Sequence, residues 1–232
     1  MKKYFVLPFT ILFAVAVFIF IITFSIGLPI YCRFFYYLQI EPLGVLEITG
    51  YDYETVKASY DAVLNFLTLP GVPFDAGVFK YSESGASHFY DCKVLFNLNA
   101  IALIISIIII STGIVLDKTG KLKLLKIKGF HPAFFSAISI FAFFLILIGL
   151  VSIDFNNAFI IFHKIFFPGK DNWTFDPRYD EIINALPEQF FLNCAILIAT
   201  SIILISLAII VFCVIKRKKQ QNLQKSLTEI KK

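Results

Sequence analysis

Four apolar runs, at about 4–30, 94–116, 133–153 and 190–215, decide what this chain can fold into. Each holds roughly 20 residues or more, enough to carry a helix across about 30 Å of hydrocarbon at 1.5 Å per residue. A soluble domain rarely needs even one such run. The chain's 58% hydrophobic content is also more than a soluble core requires. The first run, preceded by Lys2 and Lys3, has the look of a secretory leader, but its length favours a retained helix. The expected fold is an all-α membrane protein built on a four-transmembrane-helix bundle.

Charge sets the orientation. Fourteen of the 21 Lys and Arg residues fall in three places: beside the N-terminus, in the short loop 117–132 and in the tail 216–232. With four crossings these three segments share one face, and the positive-inside rule makes that face cytoplasmic. Both termini are therefore expected in the cytoplasm. The longer loops 31–93 and 154–189 are expected outside, and they hold 14 of the 16 acidic residues. Because the basic residues flank membrane segments, the net charge of +5 predicts no nucleic-acid partner. Cys32, Cys92, Cys194 and Cys213 show neither CxxC pairing nor metal-ligand spacing.

Neither outer loop is long enough to bury a core alone, so the two are expected to fold together as one extracellular cap. Within it, the apolar pattern of LGVLEITG (43–50) suggests a strand. Val56, Tyr60, Val63, Leu64 and Leu67 fall at helical spacing behind Asp52, a candidate N-cap. The cap is thus read as mixed α/β. In the second loop, Asp176 and Pro177 read as the cap and first turn of a short helix carrying Ile182, Ile183 and Leu186, which Pro187 ends.

Candidates for chemistry are few. His131, in GFHP at the start of the third run, reads as an interfacial residue. His88 and His163 lie in different outer loops, each near a membrane boundary, where they can meet; singly, each is more simply a packed histidine. Asp91 lies three residues beyond His88, on the same helix face, where its carboxylate could orient the imidazole. Cys92, four residues on, could form a thiolate–imidazole pair, although a buried thiol is commoner. Two histidines and one Asp could hold zinc, but their spacing is unspecific, and no HExxH, carboxylate cluster or GxSxG elbow is present. The stretch FHKIFFPGKDNWTFDP (162–177) adds a dense aromatic group around His163, readable as a membrane-interface belt. Its NWT is a formal glycosylation sequon of weak specificity.

SHFYD (87–91) and FHKIFFPGKDNWTFDPRYDEIINALPEQFF (162–191), in a four-span chain of this loop layout, resemble the bacterial lipoprotein intramolecular transacylases. The resemblance covers nearly the whole chain. It implies four transmembrane helices under an extracellular cap, and two catalytic histidines that fall on His88 and His163. It also implies an acyltransferase of the bacterial cell membrane, with diacylated lipoproteins as substrates and membrane lipids as surroundings. The sn-2 acyl chain would pass to the α-amine of the substrate's N-terminal cysteine, giving a lyso-form lipoprotein without cofactor or metal. On that reading Asp91 supports His88, and Phe166, Phe167, Asn172, Trp173, Phe175 and Asp176 are candidates for the substrate chamber. The alternatives are a membrane-embedded lipid or lipoprotein hydrolase using the same histidines, and a non-enzymatic four-span scaffold held by cap disulfides. A transporter would want ionisable residues within its spans, and these runs have essentially none.

Overall fold

The computed structural model describes residues 2–230, and every regular element among them is a helix. In chain order these are α1 (Lys2–Tyr31), α2 (Phe34–Tyr37), α3 (Val45–Thr49), α4 (Tyr53–Thr68), α5 (Glu83–Lys118), α6 (Pro132–Val151), α7 (Phe155–Phe166), α8 (Ile182–Ala185) and α9 (Glu188–Ile230). Four of them, α1, α5, α6 and α9, are long and apolar enough to cross a membrane. At 36 residues, α5 is about 54 Å long, well beyond the hydrocarbon thickness. It begins at Glu83, well before the apolar run itself.

The chain divides into two compact units. One comprises Met1–Ser25, Ala102–Ile148 and Ala199–Lys232. Its helices leave large apolar side chains such as Phe5, Ile108, Ile146 and Phe212 exposed, as lipid-facing surfaces do. Small residues let its helices approach closely. Ser136 Oγ donates to Ala14 O at 2.6 Å, and a Cβ on Gly113 would collide with the ring of Phe13. The loop before α6 is tied back by Leu125 N, which donates to Thr10 Oγ1 at 3.1 Å. Arg217 lies over the Phe130 ring at 4.2 Å.

The second unit comprises Ile26–Ile101 and Gly149–Ile198. It has a core of its own, made from α2, α3, α4 and α8 and from the parts of α5 and α9 it contains. At its centre Tyr36, 1% exposed, stacks on Tyr60 with centroids 3.8 Å apart. The Tyr36 hydroxyl donates to Ala185 O at 2.7 Å, so an otherwise apolar core satisfies its buried polar atom. Arg33 donates to Asp61 (2.8 Å) and Asn65 (2.6 Å), and Tyr37 also donates to Asp61 (2.6 Å), fastening α2 to α4. The Asp52 carboxylate accepts from Thr55 N at 2.9 Å, which is the expected N-cap of α4.

Two expectations need correction. The strand at 43–50 is instead the single-turn helix α3, so the mixed α/β cap is not found; no strand occurs among the described residues. Gly44 and Gly50 bracket it at φ of 66° and 73°, left-handed values that favour glycine and turn the chain in and out of a helix. The backbone is satisfied locally, through Ile48 N to Gly44 O and Gly50 N to Leu46 O, with no partner strand needed. Five apolar-rich residues fit either periodicity, and packing decided between them. Asp176 does not cap α8. Its main-chain oxygen accepts from the amides of Tyr179 and Asp180, and its carboxylate accepts from the amide and guanidinium of Arg178, forming a turn ahead of the helix.

Candidate active site

His88 and His163 are brought together within the second unit, with ring centroids 5.8 Å apart. His88 lies near the start of α5, whose entry is firmly built. Ser82 is its N-cap, accepting from Gly85 N at 2.9 Å, and the buried carboxylate of Asp180 accepts from Ser82 N at 2.7 Å. His163 lies on α7, a helix the loop reading missed. Asp154 caps it by accepting from Asn157 N at 2.9 Å, and Phe155, Phe159, Phe162, His163 and Phe166 follow at helical spacing. That spacing was the available signal, obscured by the aromatic density of the whole stretch.

Both imidazoles are buried, at 6% and 7% exposure. The Nδ1 of His163 is 2.8 Å from the carbonyl of Phe159. A carbonyl can only accept, so Nδ1 carries the proton and Nε2 keeps its lone pair. Burial holds the His163 pKa below the ordinary 6.5, against the upward pull of this hydrogen bond, so the ring is neutral at physiological pH. For His88, Nε2 faces Cys92 Sγ at 3.4 Å, while Nδ1 is buried with no partner among the described residues. A desolvated ring nitrogen without a hydrogen bond is costly, so His88 is held at an energetic disadvantage in this setting.

Around the pair stands an aromatic enclosure. Trp173 stacks on His163 at 4.8 Å and 27°, and Phe159 lies 4.3 Å from the same ring. Phe167 and Phe175 meet His88 at 4.8 and 5.6 Å. These side chains border a cavity of about 890 Å³, whose remaining wall includes Tyr60, Val63, Phe190 and Phe191. The volume is at the upper end for small-molecule pockets, and the wall is largely apolar with two imidazoles set into it. It suits an aliphatic chain more than a polar metabolite.

Of the six chamber candidates, Phe167, Trp173 and Phe175 border the cavity. Phe166, half exposed, packs at a tilt on Phe162 instead; Asp176 is occupied by Arg178; Asn172 is bonded to α5. Asp91 departs further from expectation. Its carboxylate does not hydrogen-bond His88 but accepts from Lys170 Nζ at 2.5 Å and Asn172 Nδ2 at 3.0 Å. A cation and an amide delivered by the other loop outcompete a neutral imidazole for a carboxylate. His131 lies in the other unit, edge-on to Phe13. The four cysteines are free thiols, and among the described residues no three His, Cys, Asp or Glu side chains converge to hold a metal.

A model of the lipoprotein intramolecular transacylase Lit family matches residues 11–191. The chain belongs to this family. It is accordingly a multi-pass integral membrane protein of an acyltransferase family. The in meso structure of the membrane-integral transacylase Lit from Bacillus cereus has the same fold, with a TM-score of 0.83 at 23% identity, covering 96% of this chain and 100% of that one. Two variants of that transacylase also match. The one with a histidine-to-arginine mutation has a TM-score of 0.76 at 21% identity, covering 96% of each chain. The one with a histidine-to-alanine mutation has a TM-score of 0.74 at 22% identity, covering 94% of this chain and 97% of that one. Comparison with curated proteins gave no significant match.

Proposed function

We propose that the protein moves the sn-2 acyl chain of a diacylated lipoprotein onto the α-amine of its N-terminal cysteine, with His88 and His163 as the catalytic pair. The observation that carries this reading is the meeting of the two imidazoles, one with a free Nε2 lone pair and one with an unpartnered Nδ1, in the wall of an apolar cavity. The substrate brings its own nucleophile. Its α-ammonium, with an ordinary pKa of about 8, must shed a proton, and neutral His163 Nε2 is an acceptor of suitable strength. Attack on the ester carbonyl forms the C–N bond and breaks the bond between the carbonyl carbon and the glyceryl oxygen. The first proton, from the ammonium, leaves to solvent; nitrogen gives up a second as the amide forms, and this one balances the proton that the departing glyceryl oxygen takes up, with the neutral ring of His88 relaying it from His163. Amine and ester are tethered through the thioether, so attack closes a ring of roughly eight atoms, and rigid aromatic walls reduce the entropy cost of that closure.

In this reading the membrane-crossing parts are 1–30, 94–116, 133–153 and 190–215, with both termini cytoplasmic and the histidine pair on the extracellular side, supported by the distribution of Lys and Arg. Cysteines placed at Lys80 and Lys170 should react with an impermeant reagent on intact cells.

A second reading has one observation in its favour. Cys92 Sγ lies 3.4 Å from His88 Nε2, so a thiolate could take the acyl group first and pass it to the amine. One experiment separates the two. Purified protein is given a mixture of isotopically labelled and unlabelled diacylated lipopeptides, and the products are read by mass spectrometry. Direct transfer gives isomers of unchanged mass and no crossed species. Crossover or an acylated Cys92 would replace the tethered mechanism with the two-step one, and free fatty acid as the main product would make the protein a hydrolase.

A further inference from the structure

The segment from Phe167 to Asp176 lines the cavity and is also bonded to α5. It is folded on itself: Lys170 N donates to Phe167 O, Thr174 N to Asp171 O, and Trp173 Nε1 to Lys170 O at 3.0 Å. Gly169, at φ 74°, supplies the left-handed residue that this turn requires. The folded segment grips α5 at three points around His88. Ahead of the histidine, Phe175 packs so closely on Gly85 that a Cβ there would collide with it. Beside it, Asn172 Nδ2 donates to Ser87 Oγ at 3.4 Å and to Asp91 at 3.0 Å. Beyond it, Lys170 pairs with Asp91. Phe167, 5% exposed, and Trp173 fill the space under these ties and touch the two imidazoles.

The ties are strong enough to set a geometry and weak enough to open. The Lys170 and Asp91 side chains are 48% and 22% exposed, so solvent and salt screen the pair. A diacylated substrate has to reach two imidazoles that are almost fully buried, and Phe167, Trp173 and Phe175 of this segment pack against them. Once the substrate is inside, water is the chief competitor of the amine for the ester carbonyl, since either nucleophile would break the same C–O bond.

We propose that residues 167–176 form a strap latched over the histidine pair by Asp91, Lys170 and Asn172, and that this latch directs the acyl group to the amine by excluding water. This rests on the transacylase reading above. Asp91, Lys170 and Asn172 are positioning residues. They reach the reacting atoms through Trp173 and Phe167 and leave the His88 ring free of any carboxylate partner. With the strap open, water attacks the carbonyl, yielding a free fatty acid and a glyceryl hydroxyl, and the amine remains unacylated.

Trp173 is the sole tryptophan of the chain, so its emission reports the strap directly. The full-length protein in nanodiscs is compared with the Asp91→Ala, Lys170→Met and Asn172→Ala variants and the swapped pair Asp91→Lys with Lys170→Asp. Two quantities are read: quenching of tryptophan emission by iodide, and the ratio of free fatty acid to N-acylated isomer from a diacylated lipopeptide. Each single variant should raise quenching. Transfer should slow by about 10-fold or more, the range seen when an outer partner of a site is removed, with little change in KM. The fatty-acid fraction should rise several-fold, and the swapped pair should recover most of both readouts. Three variants on two elements guard against one that fails to fold. Unchanged quenching in all three would overturn the latch. Increased quenching with an unchanged product ratio would overturn its role in excluding water. Failure of the native protein to form any N-acylated isomer would overturn the transacylase reading instead, while the quenching data would still judge the latch.

Discussion

His131 and His163 invite confusion, and their difference is instructive. Each is at least partly buried, stands among phenylalanines, and is held below the usual histidine pKa by burial. Burial and pKa therefore do not distinguish them. Hydrogen bonding and company do. The Nδ1 of His131 accepts from Ala133 N at 3.3 Å, so the ring serves as a cap where α6 begins. The Nδ1 of His163 donates to a carbonyl, leaving the lone pair of Nε2 free, and a second imidazole stands 5.8 Å away in the wall of the same cavity. A perturbed pKa marks a candidate site; a free lone pair facing an open volume makes chemistry possible.

The comparison can be broken most decisively by substitution. His163→Asn and His88→Asn should each lower transfer by about 100-fold or more, the range of a lost general acid or base. His131→Asn should stay close to native activity. Near-native rates in either the His163 or the His88 variant, measured by mass spectrometry of lipopeptide product, would remove the distinction. Trp173→Ala comes next. It takes away the ring stacked on His163 and should cost about 10-fold in turnover while moving the melting temperature only slightly, because Trp173 is only partly buried. Proportionate losses in both would return the segment to a membrane-interface belt.

The pH response is a milder effect. With its folded-state pKa depressed, His163 is neutral and competent as a base above the ordinary histidine value. Both that competence and its contribution to stability are lost as pH falls through the lower folded value. The acid limb of kcat should therefore have its midpoint below about 6.5, and His131→Asn should not move it. A midpoint well above that value would mean that His163 does not govern the profile. The smallest effect is expected for Cys92→Ala, which should keep activity within about 3-fold, because direct attack forms no thioester. Complete loss, with the fold intact by thermal denaturation, would make the Cys92–His88 contact a nucleophile pair.

The amino-acid sequence alone determined the membrane architecture, because about 20 apolar residues in a row have few other stable fates, and each signal is local. The same holds for α4, where an N-cap and five apolar residues at helical spacing agree. It also placed His88 and His163 in two loops that could meet. Tertiary structure decided the rest. Short elements such as α3 are ambiguous in periodicity, and only packing of Val45 into the core, at 0% exposure, selected the helix. Helix α7 has its helical spacing and its Asp154 cap in the sequence, but its phenylalanines read equally well as a membrane-interface belt, and that reading hid the period. Asp91 shows the limit most clearly. Along the chain its natural partner is His88, three residues away, yet its bonds go to Lys170 and Asn172, about 80 residues distant. A carboxylate's partner is settled by which charges and amides the fold delivers within 3 Å of it, and no spacing along the chain records that.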